Sequence, residues 1–544
     1  MADRILASPH KASGSFVLAV PGILLVLICL TPFLNKAYTI DDPCFLLEAR
    51  QILRDPLQPM SFPICWSAAE ICVKNTGSSG IGSAQALMGY ALVPVILAGG
   101  AEWIAHTIQI LLCCVAVIEM IRLALWLGLS RLLAGAAGLL LAAIPPFLPM
   151  ASTAMPDMLA LALGLTGIER LFAWKAERRW SQAVVSGIAL GLAPWARPHW
   201  AMLLGLASIS LFDEFKFLAM RHQIRRQTRL WAPILLAVCI LLTVNLATHQ
   251  RGPIVDPTQT LTEGGHPSRN LFAYFLYLAV PIPMAVVWLA IYWRKLPFLL
   301  APVTASAGLM VPMHLTGGLA SQWALLAVLC AIPVVVHFLR VCWKNRDRTG
   351  LLLGLWMLSP LPVVVYAHFP IKYMMLALPA VVLIILRTLS SFSSTRGVTC
   401  ACAVIVSAGT AYSCLILRAD ADFAEFGRRA AKELIAPHVA AGEKVWYGGE
   451  WGFYWYAREA GAEVSQPRVA AQRPGQLLVV GLTENGDVTR NRFPKRVLVD
   501  RKQYNSPHGR TMGSGAGLYS NLTGFALWVW NPAATNVYEL WRIQ

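Results

Sequence analysis

The sequence predicts a polytopic α-helical membrane protein of about thirteen transmembrane helices, with a small extracytoplasmic α/β domain at its C-terminal end. Three observations lead there. The 544 residues are 57% hydrophobic and only 13% charged, whereas a soluble chain carries roughly 25% charged residues and 45–50% apolar ones. The apolar residues fall in runs long enough to cross a bilayer core about 30 Å thick, which takes roughly 20 residues of helix. The loops between the runs alternate between basic and non-basic. A cytosolic enzyme is excluded, because a chain of this length could not hide so much apolar surface. The formal net charge of +17 does not point to nucleic acid, since membrane proteins gather Lys and Arg in cytoplasmic loops.

The first span is expected at 16–34. Arg4 and Lys11 precede it and favour a cytoplasmic N-terminus, and no small-x-small site follows it, so it reads as an anchor rather than a cleaved signal. Further spans are expected near 101–126, 131–150, 155–173, 181–197, 199–216, 230–248, 270–293, 297–313, 320–341, 351–368, 371–388 and 398–417. Their inner loops hold Arg122 and Arg131; Lys175, Arg178 and Arg179; Arg221, Arg225, Arg226 and Arg229; Arg294 and Lys295; Lys344, Arg346 and Arg348; and Arg387 and Arg396. The outer turns 150–156 and 314–319 carry no Lys or Arg. The N-terminus is therefore expected inside and the C-terminus outside, in a bacterial inner membrane. This divides the chain into a transmembrane module, 1–417, and an extracytoplasmic domain, 418–544.

Two pieces lie outside the membrane. In the first loop, 35–100, the semi-apolar stretch 84–98 suits the membrane surface. The C-terminal piece reads as a helix at 423–441, a strand at 444–447 and an aromatic helix at 451–460. Strands follow near 477–481, 496–499, 525–530 and 537–543, a small α/β arrangement. Of the twelve cysteines, nine sit in or beside spans as small apolar residues. Cys44, Cys65 and Cys72 lie in the first loop, where a Cys65–Cys72 disulfide is one open pairing. No Cys-x-x-Cys, His-Glu-x-x-His or Walker loop occurs, which argues against an ATP-driven pump.

The sharpest chemical feature is the acidic pair in Tyr38-Thr39-Ile40-Asp41-Asp42-Pro43-Cys44-Phe45. Adjacent carboxylates repel, and burial raises at least one pKa, which suits a general base for an acceptor hydroxyl or amine. The plainer reading is an N-cap for a helix over 43–54. Asp157, after Met155-Pro156, is either a first-turn acid of a span or a group that orients a substrate on the same membrane face. Basic groups on the outer side run against the charge bias: Arg197 and His199, Arg251, His266 and Arg269, and His368 and Lys372. An anionic lipid phosphate gives them a reason, with headgroup contact or snorkelling as the alternative. Trp446, Trp451, Phe453, Tyr454, Trp455 and Tyr456 suit a domain core or interface belt, or a surface that stacks on sugar rings.

These features together resemble the GT-C superfamily of membrane glycosyltransferases, and most nearly glycosyltransferase family 39, with the protein O-mannosyltransferases and the lipid A aminoarabinose transferases. Asp41-Asp42-Pro43-Cys44-Phe45-Leu46-Leu47-Glu48-Ala49-Arg50 is similar to the family's first-loop pattern. Met155-Pro156-Asp157-Met158-Leu159 looks like its small-x-Pro-Asp-x-Leu step. Ile371-Lys372-Tyr373-Met374-Met375-Leu376-Ala377-Leu378-Pro379 looks like its aromatic-basic-Tyr step. The family's His-Pro-Pro stretch is absent, and Lys372 stands where Arg is commoner. The resemblance covers about 16–390. It implies inverting transfer of a sugar from a polyprenyl-phosphate donor to a glycan, lipid or protein acceptor on the extracytoplasmic side. It implies Asp41 as the base with Asp42 as its partner, Asp157 shaping the site, and Arg197, His199, Arg269 and Lys372 toward the donor phosphate. No nucleotide is needed, and a divalent metal serves some branches and not others. A transporter or lipid flippase is the main alternative, yet the chain shows no repeated halves and its notable charges sit at outer span ends. A structural subunit or receptor would leave Asp41 and Asp42 without a role.

Overall fold

The fold, taken from a computed structural model, is described for residues 15–64, 73–74, 86–212, 228–248, 266–279, 281–282, 318–392, 394–465, 473–484, 490–491, 493, 495–531 and 535–544. The expected span 297–313, the ends of those at 199–216 and 270–293, and Cys65, Cys72 and Arg251 lie outside the described residues.

Helix α1 (Ser15–Leu30) enters the first loop, where α2 (Asp42–Arg54) follows. Strands β1 (Pro63–Ile64) and β2 (Val73–Lys74) pair antiparallel. The semi-apolar stretch folds as two short helices, α3 (Leu87–Ala91) and α4 (Val93–Leu97). The bundle continues with α5 (Glu102–Trp126), α6 (Arg131–Ala143), α7 (Phe147–Ala151), α8 (Asp157–Glu177), α9 (Trp180–Ala196) and α10 (Met202–Leu211). Then come α11 (Ala232–Ala247), α12 (Pro267–Ala279), α13 (Gly318–Lys344), α14 (Arg348–Leu358), α15 (Leu378–Phe392) and α16 (Thr395–Leu434). Among the described residues, five helical stretches are long and apolar enough to cross a membrane: Ser15–Phe33, Glu102–Trp126, Arg229–Ala247, Arg348–Val365 and Thr395–Ala440. Arg131–Ala143, Pro198–Leu211 and Leu378–Ser391 are shorter apolar helices.

Proline sets several helix ends that hydropathy alone misses. The run expected at 131–150 breaks after Ala143, because Pro145 and Pro146 have no N–H to donate to the helical ladder. The run at 351–368 gives way to 3₁₀ turns at Leu361–Val365, after Pro360. The run at 371–388 begins as a 3₁₀ segment, Ile371–Leu376, before α15.

The C-terminal part follows the expected order closely. Helix α16 runs 40 residues without a break, carrying a membrane-length apolar segment into the C-terminal part. After α17 (Ala436–Ala440) come β3 (Val445–Gly448), α18 (Trp451–Glu459), β4 (Glu463–Val464), β5 (Leu477–Gly481), β6 (Arg496–Asn505), β7 (Met512–Gly513), β8 (Gly515–Gly517), β9 (Gly524–Ala526) and β10 (Thr535–Ile543). The five-stranded sheet has the order β4-β3-β5-β10-β6. Strand β3 lies parallel to β4 and β5, while β10 is antiparallel to β5 and β6. Strands β7, β8 and β9 form a second, small sheet. One hydrophobic cluster joins the bundle to this part, holding Val117 and Leu161 together with Tyr447, Phe453 and Tyr538.

The aromatic helix α18 is the joint. A Cβ on Gly452 would lie 2.1 Å from the Tyr38 carbonyl oxygen, so only glycine admits that approach. The Tyr456 hydroxyl accepts from the Tyr38 N–H at 2.8 Å and donates to Glu102 at 2.8 Å. The Trp455 ring meets Tyr38 edge-on and lies under the Arg50 guanidinium. These aromatics are an interface with the first loop, which fixes the loop against the bundle.

Candidate active site

The two acids of the first loop are placed differently. Asp42 is fully buried. Its Oδ2 accepts from the Thr39 N–H and its Oδ1 from the Ala154 N–H, both at 2.9 Å. It thus ties the loop to the turn between α7 and α8. Asp41 occupies the N-cap position of α2 but makes no capping hydrogen bond. Its side chain is 39% exposed and faces the buried Lys372 ammonium at 3.2 Å. Ile40 just before it has φ +44°, a left-handed conformation that a β-branched residue adopts only under constraint. The Asp42 N–H to Thr39 carbonyl bond and the Asp42 carboxylate close that turn from both sides.

The electrostatics follow the placement. Burial opposes ionisation of Asp41, but Lys372, Arg197 and His368 outweigh it and hold its carboxyl below the ordinary value. In Asp42 burial dominates and pushes the pKa up to about 7, against the pull of the two N–H groups and Lys36. His368 is driven down to about 4 by burial and then by Lys372, so it is a neutral imidazole near Asp41.

The turn after α7 gathers the other groups. Asp157 opens α8, and the Arg197 guanidinium grips its carboxylate with Nε–Oδ1 at 3.0 Å and Nη2–Oδ2 at 2.6 Å. Arg197 is extended because Pro198 follows it, and this carries its side chain off the end of α9 toward Asp157. Lys372 Nζ also reaches Met155 Sδ at 3.8 Å. The Met155 carbonyl accepts from Gln109 at 2.8 Å. His199 packs its ring on Tyr373 with centroids 5.0 Å apart, and its buried Nε2 has no hydrogen-bond partner among the described residues. The structure therefore brings Asp41, Asp42, Asp157, Arg197, His199 and Lys372 together. Arg269 is placed otherwise: its Nη2 donates to the carbonyls of Asn521 and Leu522, and it lies over Phe525, fastening α12 to the C-terminal part.

Three residues here were not singled out from the sequence. Lys36 is wholly buried, with its ammonium 2.5 Å from Asp420 and 2.9 Å from the Ser152 carbonyl. Asp420 also accepts from Thr511 at 3.1 Å and Tyr519 at 2.7 Å, so the C-terminal part closes over this pair. A lysine two residues past the end expected to face outward in the first span runs against the expected charge bias, and that signal could have found it. Glu48 is fully buried on α2 with both carboxyl oxygens unpartnered among the described residues. Burial pushes its pKa well up, opposed by Arg197.

No group of three or more His, Cys, Asp and Glu side chains converges among the described residues, and the Asp41 carboxylate already faces an ammonium. Cys44 is a buried free thiol.

No protein-family model matches the chain, and no curated protein matches it in sequence. Its fold is similar to that of ArnT from Cupriavidus metallidurans bound to undecaprenyl phosphate, at 12% identity and a TM-score of 0.49 over 96% of this chain and 97% of that one. It is also similar to the archaeal oligosaccharyltransferase AglB from Archaeoglobus fulgidus in complex with an inhibitory peptide and a dolichol-phosphate, at 11% identity and a TM-score of 0.45 over 88% of this chain and 70% of that one.

Proposed function

We propose that the chain is an inverting membrane glycosyltransferase that moves a sugar from a polyprenyl-phosphate donor to an acceptor on the extracytoplasmic side. The observation that carries this reading is the Asp41–Lys372 pair: one accessible carboxylate held against one buried ammonium, beside the Asp157–Arg197 pair. The thirteen-span topology, cytoplasmic N-terminus, bacterial inner membrane and separate domain over 418–544 belong to the same proposal.

The acceptor oxygen or nitrogen attacks the anomeric carbon, and the bond from that carbon to the phosphate oxygen breaks with its electron pair. The acceptor proton passes to Asp41. Polyprenyl phosphate leaves with one more negative charge, which needs a cation at that moment. As Asp41 takes the proton it releases its hold on Lys372, so the ammonium becomes available to the leaving phosphate as charge develops there. His199 and His368 flank the same space as further polar groups. Asp42 has both oxygens committed to backbone N–H groups and serves to hold the loop.

The test is release of polyprenyl phosphate from labelled polyprenyl-phosphate sugars by purified protein. Turnover by the native protein should fall about 10²–10⁴-fold in Asp41→Asn, the usual contribution of a general base. Turnover that survives in Asp41→Asn moves the base elsewhere, with Asp157 next. No turnover with any donor, accompanied by substrate movement across vesicles, would assign a transporter instead.

A further inference from the structure

At the opposite end of the bundle lies a half-open groove of about 590 Å³, walled by the N-terminal parts of α1, α6 and α16. The three helices run parallel. They start together at this groove; Lys36 and Ser152 lie beyond α1 and α6, Asp420 lies within α16, and the three meet at the other end. The α16 wall extends from Thr395 to Ser407, about 18 Å of helix and thus about the depth of one bilayer leaflet. Pro21, Gly135 and Ala403 keep the walls low, so the interior is apolar and narrow.

The mouth is different. Arg131 is exposed there and makes no ion pair among the described residues, and no acidic side chain lines the groove. Helices α6 and α16 both begin at the mouth, capped by the Ser130 and Ser394 hydroxyls at 3.4 and 3.3 Å. Their first-turn N–H groups add positive potential to that of Arg131. The site is therefore apolar over one leaflet and cationic at its rim.

We propose that this groove binds an anionic glycerophospholipid of the leaflet facing that end, with the phosphate at Arg131 and one acyl chain between α1, α6 and α16. The charge complementarity selects the headgroup, since a zwitterionic lipid brings its own cation to the same rim. The depth selects a chain rather than a compact ligand. The bound lipid fills the gap beside the close α1–α5–α6 packing, where a Cβ on Gly22 would come within 2.9 Å of Val117. The site is independent of the transfer reaction.

The experiment uses the full chain in nanodiscs of equimolar phosphatidylglycerol and phosphatidylcholine, followed by gentle detergent extraction and native mass spectrometry of the retained lipid. The native protein should keep phosphatidylglycerol about fivefold over phosphatidylcholine, the preference one basic residue confers near an anionic headgroup. Arg131→Gln should bring the ratio to parity without changing the amount of phosphatidylcholine kept. Gly135→Leu should lose both lipids, since its Cβ would stand 3.7 Å from the Leu18 carbonyl, leaving the new side chain to fill the groove. Leucine is also the better helix former there, so the variant should stay folded. Equal retention of both lipids by the native protein, or an unchanged ratio in Arg131→Gln, overturns the proposal. So does displacement of phosphatidylglycerol by added polyprenyl phosphate, which would give the groove to the donor lipid. None of these readouts depends on sugar transfer, so failure here leaves the proposed activity standing.

Discussion

The two ends of the helix bundle treat cations in opposite ways. At the end carrying Asp41, Lys36, Arg197 and Lys372 are all at least 95% buried, and each faces a carboxylate: Asp420, Asp157 and Asp41 respectively. At the other end Arg131, Arg178, Arg179, Lys344, Arg346 and Arg396 are exposed. A cation that orients a helix in the bilayer needs only water and headgroups, so it stays at the surface. A cation drawn into the protein loses its hydration and persists only beside a counter-charge. The difference separates charges that set topology from charges that build a site. This end also holds exceptions, since Glu119 pairs with Arg122 at 2.8 Å and Arg170 at 3.5 Å near the C-terminal end of α5, and Asp347 pairs with Arg387 at 3.0 Å.

The comparison is broken most directly at the buried pairs. Lys36→Met leaves Asp420 ionised in the interior with only Thr511 and Tyr519 as donors. The expected cost is about 3–5 kcal/mol, as for other buried pairs stripped of one partner, read as a fall in thermal unfolding midpoint in detergent. Adding Asp420→Asn should recover most of it, because the double variant buries no unmatched charge. A loss under about 1 kcal/mol in Lys36→Met would mean that the pair is hydrated and that the two ends do not differ in kind.

The next effect distinguishes the adjacent acids by pH. Native Asp42 keeps its proton up to about pH 7, while the unfolded chain loses it near pH 4. Across that window the native state binds more protons, so stability falls as pH rises from about 4 to 7 and levels off above. Asp41 has the opposite sign: its native carboxyl ionises below the ordinary value, so its contribution is present above about pH 4 and lost as pH falls further. Unfolding midpoints measured from pH 4 to 8 should show a downward slope in the native protein that Asp42→Asn reduces by an amount on the order of a few kcal/mol, leaving the part that comes from Glu48, whose carboxyl is also pushed up by burial. Asp41→Asn should leave that slope in place. The same slope in all three proteins would remove the distinction between a buried tie and an accessible base.

Much of this arrangement was legible in the sequence, for reasons that differ between elements. Long apolar runs gave α5, α8 and α9 to within a few residues, and short apolar runs between helical patterns gave β3, β5 and β10. Arg197 and Lys372 stood out because each runs against the charge bias expected for its side of the membrane, Asp41 because it belongs to an adjacent acidic pair, and Asp157 because it opens a span after Met155-Pro156. The ends at Pro145, Pro146 and Pro360 are less visible, since hydropathy does not register a lost N–H donor. The pairing of Lys36 with Asp420 joins residues 384 positions apart, and nothing local in either segment encodes it. The same holds for Glu48, whose position on α2 reads as the polar face of an amphipathic helix until Gly89 of α3 packs against it.

The smallest effect tests the exposed end, and its sign matters more than its size. Arg396 sits in the first turn of α16 and Arg131 in the first turn of α6. A cation there opposes the positive end of the helix dipole, by about 0.3–1 kcal/mol before screening. Both side chains are exposed, so solvent and salt reduce that figure to a few tenths. Arg396→Gln should therefore raise the unfolding midpoint slightly, or leave it unchanged at high salt, in contrast to the large loss expected at Lys36. A cation that costs the helix stability and is exposed to water has no role in holding the bundle together. The place of Arg396 is explained by orientation of the span, which a reporter fused after Gln544 would register as a mixed topology in Arg396→Gln. A fall of more than about 1 kcal/mol in Arg396→Gln would show that this end, too, is held by paired cations.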